Sequence, residues 1–321
     1  MRKRPLIVGI FVAALAAGCA GGASVQTMPD DPEGIDLGEL WVEPRDLASR
    51  DLFYGAGGLA QAPGSSATYQ IVAVDRTGFS PGYDVRDARG GDWSVKLGVE
   101  AQPEVVVSRV LWALGYHQPP TYFLLSWESG TRREPAARFR REVPGHTVVS
   151  HWSWYDNPSA ASQAFKGLIV ANLIVNNWDW KISNNKIYDI AESSKERRRV
   201  YVVRDLGASL GRTSFPGWLV WTPFRKMAQG SRNDLEDFES QRLIDRVDGT
   251  RIDFDYHGTN ARLLDAVTAD DVLWTCRLMS RLSDQQWDDA FRAAGYEESV
   301  RRRYVAKVKS KIAEGLALAG S

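Results

Sequence analysis

The chain has 321 residues, of which 44% are hydrophobic and 25% are charged, a composition typical of globular proteins and unlike that of disordered or collagen-like chains. Its 40 basic and 40 acidic side chains give a net charge of zero, so no overall field favours binding to nucleic acid. This length predicts about two domains, or one domain divided into two lobes.

The N-terminus has the features of a bacterial export signal. A basic start at residues 2–4 precedes an apolar run over 5–17 that is too short to span a bilayer, and small residues precede Cys19. This order resembles bacterial lipoprotein signals, which implies removal of a signal peptide over 1–18 and a lipid on Cys19. Ordinary cleavage a few residues later and retention as an uncleaved anchor stay open. We expect an extracytoplasmic, membrane-anchored lipoprotein, on the periplasmic side or at the cell surface.

A tether and an N-terminal lobe follow. Residues 19–50 are rich in Gly, Asp, Pro and Glu without a sustained period, which predicts a flexible tether. Over 51–146, alternating runs predict antiparallel strands joined by tight turns, and Pro103 occupies the first turn of a predicted helix. The predicted elements of this lobe are strands at 69–75, 83–87 and 93–97, a helix over 103–114, and strands at 122–127 and 138–143.

A mainly helical lobe is predicted over 147–321, because the period-two pattern ends at Pro144 and Gly145. Asn157 and Pro158 predict the start of a helix that continues to about Asn176 and is apolar nearly all round, hence buried. A polar loop, a hairpin of two strands at 186–190 and 200–204, and further helices are predicted after it.

Two short motifs flank the predicted hairpin. Asp179, Lys181 and Asn184 have the spacing Asp-x-Lys-x-x-Asn in the loop after the buried helix, and Asp205 opens an Asp-Leu-Gly turn after the second strand. Together with Lys96 on the third strand of the N-terminal lobe, this order resembles the catalytic core of the protein kinase-like superfamily. The resemblance covers about residues 69–213 and implies a two-lobed α+β fold with an antiparallel-sheet N-lobe and a mainly helical C-lobe.

The resemblance implies a role for each motif residue in the loop. Phosphoryl transfer needs Mg²⁺ between the phosphates, a positive group on them and a carboxylate that orients the acceptor hydroxyl. Asp179 is implied as that carboxylate and Lys181 as the cation that steadies the transferred phosphoryl group. Asn184 and Asp205 are implied as the ligands of Mg²⁺.

The front half supplies the implied nucleotide contacts. Strand alternation places Lys96 on the face opposite to its apolar neighbours, where it can reach a nucleotide phosphate. Glu104 on the following helix is its implied ion-pair partner, and Glu100 competes for that role. The expected cofactors are ATP and Mg²⁺. The expected partners are a nucleotide, an unknown hydroxyl acceptor and, through the lipid anchor, a membrane.

Some residues depart from the family pattern. Asn177 stands where protein kinases usually have His, and Leu206 stands where they usually have Phe, which favours a divergent branch such as the phosphoinositide-kinase-like or toxin-type kinases. Asp179 and Asp205 also suit turn capping, and the cell envelope offers little ATP, so both points weigh against catalysis.

Because the motifs occur in the order typical of the superfamily, a magnesium- and nucleotide-dependent phosphotransferase is nevertheless the leading hypothesis. A kinase-fold binding protein without turnover and a structural envelope lipoprotein are the alternatives.

Overall fold

A seven-stranded mixed sheet forms the first half of the protein. The computed structural model describes residues 40–76, 79–191, 197–213 and 230–320. The predicted signal peptide and Cys19 lie outside this part of the chain. The strands lie in the order β4-β7-β3-β2-β1-β5-β6, and their bounds are β1 (Thr68–Asp75), β2 (Gly82–Asp87), β3 (Asp92–Leu97), β4 (Thr121–Leu124), β5 (Trp127–Ser129), β6 (Arg132–Glu134) and β7 (Ala137–Arg141).

The two faces of this sheet have different roles. β3 lies between β2 and β7 and is antiparallel to both, so its side chains alternate between two environments. Trp93 and Val95 are buried in an aromatic-rich cluster with Tyr69 and Phe139. Lys96, which follows Val95, faces the other side of the sheet, as its alternation with apolar neighbours predicted.

Helix α1 (Ala101–Ala113) packs against this sheet, contacting β4 and β7. Its valines are buried, and it ends at Gly115, which has a positive φ of 99°. A Cβ at Gly115 would lie 2.1 Å from the carbonyl oxygen of Val42, so only glycine fits this approach.

The segment before the sheet corrects the predicted extent of the tether. Leu40 and Leu47 are buried, and the backbone N–H of Val42 donates to the carbonyl of Gly115 at 3.0 Å. The side chain of Gln286, in the C-terminal half, donates to the carbonyl of Leu47 at 2.8 Å. Residues 40–50 are therefore part of the folded body, because their apolar side chains find partners there. The rest of the predicted tether lies outside the described residues.

The second half contains two small sheets and several helices. A three-stranded sheet has the order β10-β9-β8, and β11 pairs with β12. The bounds are β8 (His146–Ser150), α2 (Gln163–Ile174), β9 (Asn185–Ala191), β10 (Arg197–Val203), α3 (Leu235–Ser240), β11 (Ile244–Asp248), β12 (Arg251–Phe254), α4 (Ala269–Met279), α5 (Asp284–Arg292) and α6 (Glu298–Leu316).

Two predictions for this half were wrong in detail. The buried helix begins at Gln163, because Ser162 caps it by accepting a hydrogen bond from the N–H of Phe165. Asn157, the predicted cap, donates its amide to the carbonyl of Ser153 instead. The β11–β12 hairpin forms in a region predicted as helical.

The predicted two-lobed α+β architecture is confirmed. The chain leaves the seven-stranded sheet after Arg141 and enters the three-stranded sheet at His146. The apolar helix α2 is buried at the centre of the second lobe, where it contacts α4 and α6. Among the described residues, no helix has the length and apolar character that a membrane span requires.

Candidate functional site

A polar cleft of about 680 Å³ is lined by residues of both lobes. The N-terminal lobe contributes β3 and β7, and the C-terminal lobe contributes the loop after α2 and the ends of the β9–β10 hairpin. The structure brings the sequence-predicted residues together here: Lys96, Asp179, Lys181, Asn184 and Asp205 line the cleft, and Glu104 contacts Lys96.

Lys96 is the centre of an acidic cluster. Its Nζ lies 2.9 Å from Oε2 of Glu104 and 3.6 Å from Oε2 of Glu100, so both competing carboxylates contact it. It also contacts Asp205 of the other lobe. Burial alone would lower the pKa of Lys96, but the carboxylates of Glu104 and Asp205 outweigh burial and raise it. Lys96 is therefore a charged lysine that links the two lobes across the cleft.

Glu104 is held by more cations than the sequence indicated. It is 4% exposed, and its Oε1 lies 3.0 Å from Nε of Arg138 and 3.6 Å from Nη1 of Arg140. Burial would raise the pKa of Glu104, but Arg138 and Lys96 lower it to about 2. This carboxylate is ionised and compensated in the core of the N-terminal lobe.

Arg138 is the partner that sequence reasoning missed. The register of β3 with β7 places it directly opposite Lys96, and its Nη1 donates to the carbonyl of Ser94 at 2.7 Å. Burial lowers its pKa to about 10, and Glu104 offsets part of that effect. The alternation of Arg138, Phe139 and Arg140 was a local signal that two arginines share one face. Only the pairing of β3 with β7 shows that Arg138 lies opposite Lys96.

The loop after α2 is anchored by its aromatic side chains. Trp178 and Trp180 are 2% and 1% exposed, so they are core residues. The ring of Trp180 stacks on Tyr256 with centroids 4.6 Å apart and lies 5.7 Å from Trp154. The backbone N–H of Trp180 donates to the hydroxyl of Thr259 at 2.7 Å. These contacts fix the backbone on both sides of Asp179.

The polar residues of this loop form a connected set around Asp179. Nζ of Lys181 lies 2.9 Å from the Asp179 carboxylate. Nδ2 of Asn184 donates to the carbonyl of Asp179 at 2.8 Å, and the backbone N–H of Arg204 donates to the carbonyl of Asn184 at 2.8 Å. The residues of the Asp-x-Lys-x-x-Asn motif therefore form a turn. This turn holds Asp179 and Asn184 beside Arg204, the residue that precedes Asp205.

Asp205 turns the chain sharply at the end of β10. Its φ of 59° lies in the left-handed region, which aspartate tolerates better than most residues. Gly207 follows where the chain passes α1, and a Cβ there would lie 2.4 Å from Cβ of Glu100. This close approach explains the glycine of the Asp-Leu-Gly turn. The turn presents the Asp205 carboxylate, whose side chain is 48% exposed, to Lys96 and to the cleft.

The residues at this edge of the cleft fit a magnesium ion. The described residues contain no group of three or more His, Cys, Asp or Glu side chains that could hold a metal. Asp205 and Asn184 supply one carboxylate and one amide oxygen, because Asn184 uses its Nδ2 to contact Asp179. Mg²⁺ is usually bound by one or two protein oxygens, with water and substrate phosphates completing its shell.

A second group of cations lines the same cleft. Arg140 on β7, Lys186 on β9 and Arg204 after β10 form what we call the basic wall. Burial, together with the charges of Arg204 and Arg140, lowers the pKa of Lys186. Burial and the charge of Lys186 also lower the pKa of His151, whose Nε2 contacts the Lys186 ammonium. Sequence reasoning did not single out this wall.

A buried lysine lies behind the loop. Lys311 of α6 is fully buried, contacts Oδ1 of Asn176 and lies 5.0 Å from the ring of Phe238. Burial, followed by repulsion from Lys307, lowers its pKa to about 7. Asn176 precedes the loop and also donates to the carbonyl of Gly211 at 2.6 Å. Lys311 therefore supports the backbone that leads into the site.

The order of elements and the ion pairs across the cleft define a protein kinase-like fold. A strand lysine pairs with a helix glutamate, and a buried helix leads into a polar loop, a hairpin and an aspartate turn. No family model matches the chain, and a search of curated proteins gives no significant match.

Several solved structures are similar to the chain, and two of them are kinases. The proinflammatory kinase CtkA of Helicobacter pylori matches with a TM-score of 0.46 and 11% identity, over 79% of this chain and 96% of that chain. The Rio2 kinase of Chaetomium thermophilum, solved as an ADP/Mg²⁺-phosphoaspartate complex, matches with a TM-score of 0.35 and 14% identity, over 78% of this chain and 71% of that chain.

Proposed function

We propose that the protein is a kinase-like phosphotransferase that uses ATP and Mg²⁺ to phosphorylate a hydroxyl group. The observation that carries this proposal is the position of Lys96. Its ammonium contacts Glu104 behind it and Asp205 across the cleft, in the cavity that also contains Asp179 and Asn184. A cation, two hard-oxygen ligands and a carboxylate in one cleft are the groups that phosphoryl transfer requires.

Each residue has a defined part in the proposed reaction. Lys96 binds the phosphates of the nucleotide, and Glu104 keeps its ammonium in place. Asn184 and Asp205 would hold Mg²⁺, which would supply positive charge to the phosphates. Asp179 accepts the proton of the acceptor hydroxyl. At the same time the hydroxyl oxygen bonds to the terminal phosphorus of ATP, and the bond from that phosphorus to the leaving ADP oxygen breaks. Lys181, 2.9 Å from Asp179, steadies the transferred group.

The Asp179→Ala variant tests this division of roles. Calorimetry of the wild type with ATP and Mg²⁺ should show binding, and Asp179→Ala should bind with similar affinity. Phosphoryl transfer should fall by about 10² to 10⁴ in the variant, the range for loss of a general base. An Asp248→Ala variant on the exposed β11–β12 hairpin is the matched control and should keep both properties.

The outcomes separate the enzyme from its alternatives. Binding of ATP and Mg²⁺ without transfer to any hydroxyl acceptor, including water, would favour a kinase-fold binding protein. Absence of binding by the folded wild type would overturn the enzymatic proposal and leave a structural envelope lipoprotein as the better account.

We also propose that the protein acts in the cell envelope, anchored through a lipid on Cys19. The support is the order of basic start, short apolar run and small residues before this cysteine. Mass spectrometry of the protein from its native host should find a lipid-modified N-terminus at Cys19. An unmodified terminus a few residues later would indicate ordinary export and overturn this part of the proposal.

A further inference from the structure

The basic wall lies beside the proposed phosphate and metal groups without being part of them. On β7, Arg140 is two residues from Arg138, which pairs with Lys96 in the sheet register. On β9, Lys186 is two residues from Asn184. Two residues along a strand cover about 7 Å, so Arg140 lies one pleat along β7 from Arg138, and Lys186 lies on β9 after the turn that ends at Asn184. The wall therefore faces a different part of any ligand.

The cations of the wall have mainly neutral partners. Arg140 donates to the hydroxyl of Ser94 at 3.1 Å. Arg204 donates to the hydroxyl of Tyr188 at 2.7 Å. Lys186 contacts the ring of His151. A buried charge needs an opposite charge nearby, and hydroxyl and imidazole groups supply none.

The carboxylates nearest to Arg140 do not balance its charge, and Asp205, which acts on Lys186, is already paired with Lys96. Glu104 lies 3.6 Å from Arg140 but is already shared with Lys96 and Arg138. Glu142 lies 3.9 Å from Arg140 and is half-exposed.

Two donors of the wall remain unused. Nε of Arg140 and Nε of Arg204 are buried and make no hydrogen bond to any described residue. Arg140 is 9% exposed, so this donor is largely withdrawn from bulk water. Two guanidinium groups and one ammonium around a cavity are the groups that recognise a tetrahedral oxyanion.

We propose that the basic wall is a phosphate-binding subsite, distinct from the metal-linked phosphate group and independent of Mg²⁺. An oxyanion there would accept hydrogen bonds from Lys186, Arg204 and Arg140 and balance their charge. The assignment of that group to a reactant rests on the proposed function, whereas the subsite itself does not.

Inorganic phosphate in the presence of EDTA is the direct probe. Calorimetry or ³¹P NMR should show that it binds the wild-type protein and that Lys186→Gln and Arg204→Gln each weaken binding about 10-fold or more, the range for losing a charge-assisted contact. Lys186→Arg should retain binding because it keeps the charge. Arg199→Gln, which removes an exposed cation from the same hairpin, should leave binding unchanged.

Several results would overturn the subsite. These are the absence of phosphate binding in EDTA, equal affinity of Lys186→Gln and wild type, or binding that requires Mg²⁺ and is lost only in Asp205→Ala. Binding of phosphate without binding of ATP and Mg²⁺ would support the subsite and contradict the proposed phosphotransferase. Binding of ATP and Mg²⁺ without binding of phosphate would support the first step of the proposed phosphotransferase and contradict the subsite.

The source of the anionic group follows from competition. If phosphate still binds when the cleft is saturated with ADP and Mg²⁺, the subsite serves a phosphorylated acceptor. If ADP and Mg²⁺ displace it, the subsite serves the nucleotide. Either result supports a phosphate-binding wall.

Discussion

Lys96 and Lys311 are both largely shielded from solvent, but their neighbours differ. The ammonium of Lys96 lies among the carboxylates of Glu104, Glu100 and Asp205, and its pKa is raised. The ammonium of Lys311 contacts the amide of Asn176 and the ring of Phe238, and burial lowers its pKa to about 7, although Glu314 and Asp255 offset part of that effect. The fold thus keeps a fixed charge where the lysine faces the cleft and allows a neutral amine where the lysine supports the loop from the core.

The largest expected effect comes from removing the carboxylate that compensates Lys96. Glu104→Gln leaves Lys96 and Arg138 without their shared buried anion, so the free energy of unfolding should fall by about 3 to 5 kcal/mol. Urea denaturation measures this change. Glu142→Gln, at a half-exposed carboxylate, should change stability by less than about 1 kcal/mol. A similar small loss in Glu104→Gln would show that the Lys96 cluster does not depend on this carboxylate.

Lys96 contacts both Glu104 and Asp205, but only Asp205 belongs to the proposed metal site. Asp205→Ala should weaken the binding of ATP with Mg²⁺ by about 100-fold, because the metal loses its anionic protein ligand. The free energy of unfolding should fall by only about 1 kcal/mol, since Asp205 is half-exposed and the loss comes mainly from placing alanine in left-handed backbone. Calorimetry with Mg²⁺ and with EDTA separates the two contributions. An affinity for ATP that is unchanged in Mg²⁺ would remove Asp205 from the proposed metal site.

The same substitution at both lysines compares the two sites directly. Lys96→Met should weaken ATP binding about 10-fold, because a charge-assisted phosphate contact is lost. Lys311→Met should leave ATP binding unchanged, because Lys311 lies behind the loop and does not line the cleft. Equal losses of affinity in the two variants would contradict the separation of a functional from a structural lysine.

The pH dependence of the free energy of unfolding tests the low pKa of Lys311. The folded pKa of Lys311, about 7, lies below its ordinary value of 10.5, so between these values the unfolded chain binds a proton that the folded protein lacks. Protonation therefore destabilises the protein, and the contribution of Lys311 to stability rises with pH from about 7 to 10.5. The slope is about 1 kcal/mol per pH unit. Lys311→Met should lack this slope when denaturation is compared at pH 7, 8 and 9, and identical slopes would show that Lys311 is charged in the core.

Local patterns in the sequence predicted the elements and motifs that lie close together along the chain. Alternation located the strands around Trp93 and Val95, and the spacing of Asp179, Lys181 and Asn184 predicted residues that the structure brings together in one loop. The pairing of β3 with β7 leaves no local signal, because strand register depends on residues distant in the sequence. The role of Arg138 beside Glu104 and the existence of the basic wall therefore needed the structure.

The helix start at Gln163 and the β11–β12 hairpin show a different limit. Asn157 and Pro158 are good helix-starting residues, but Ser162 supplies the cap that the tertiary structure uses. The hairpin consists of charged and β-branched residues with Gly249 at positive φ, a pattern that is short and ambiguous in sequence.

The ring contacts of Trp180 with Tyr256 and Trp154 bear on the thermodynamics of ligand binding. They belong to the protein itself, and they hold the backbone around Asp179 before any ligand arrives. A loop that orders only on binding would subtract its lost conformational entropy from the affinity. Here the entropy of ordering is lost during folding, so a ligand of the cleft can bind without having to order the backbone around Asp179.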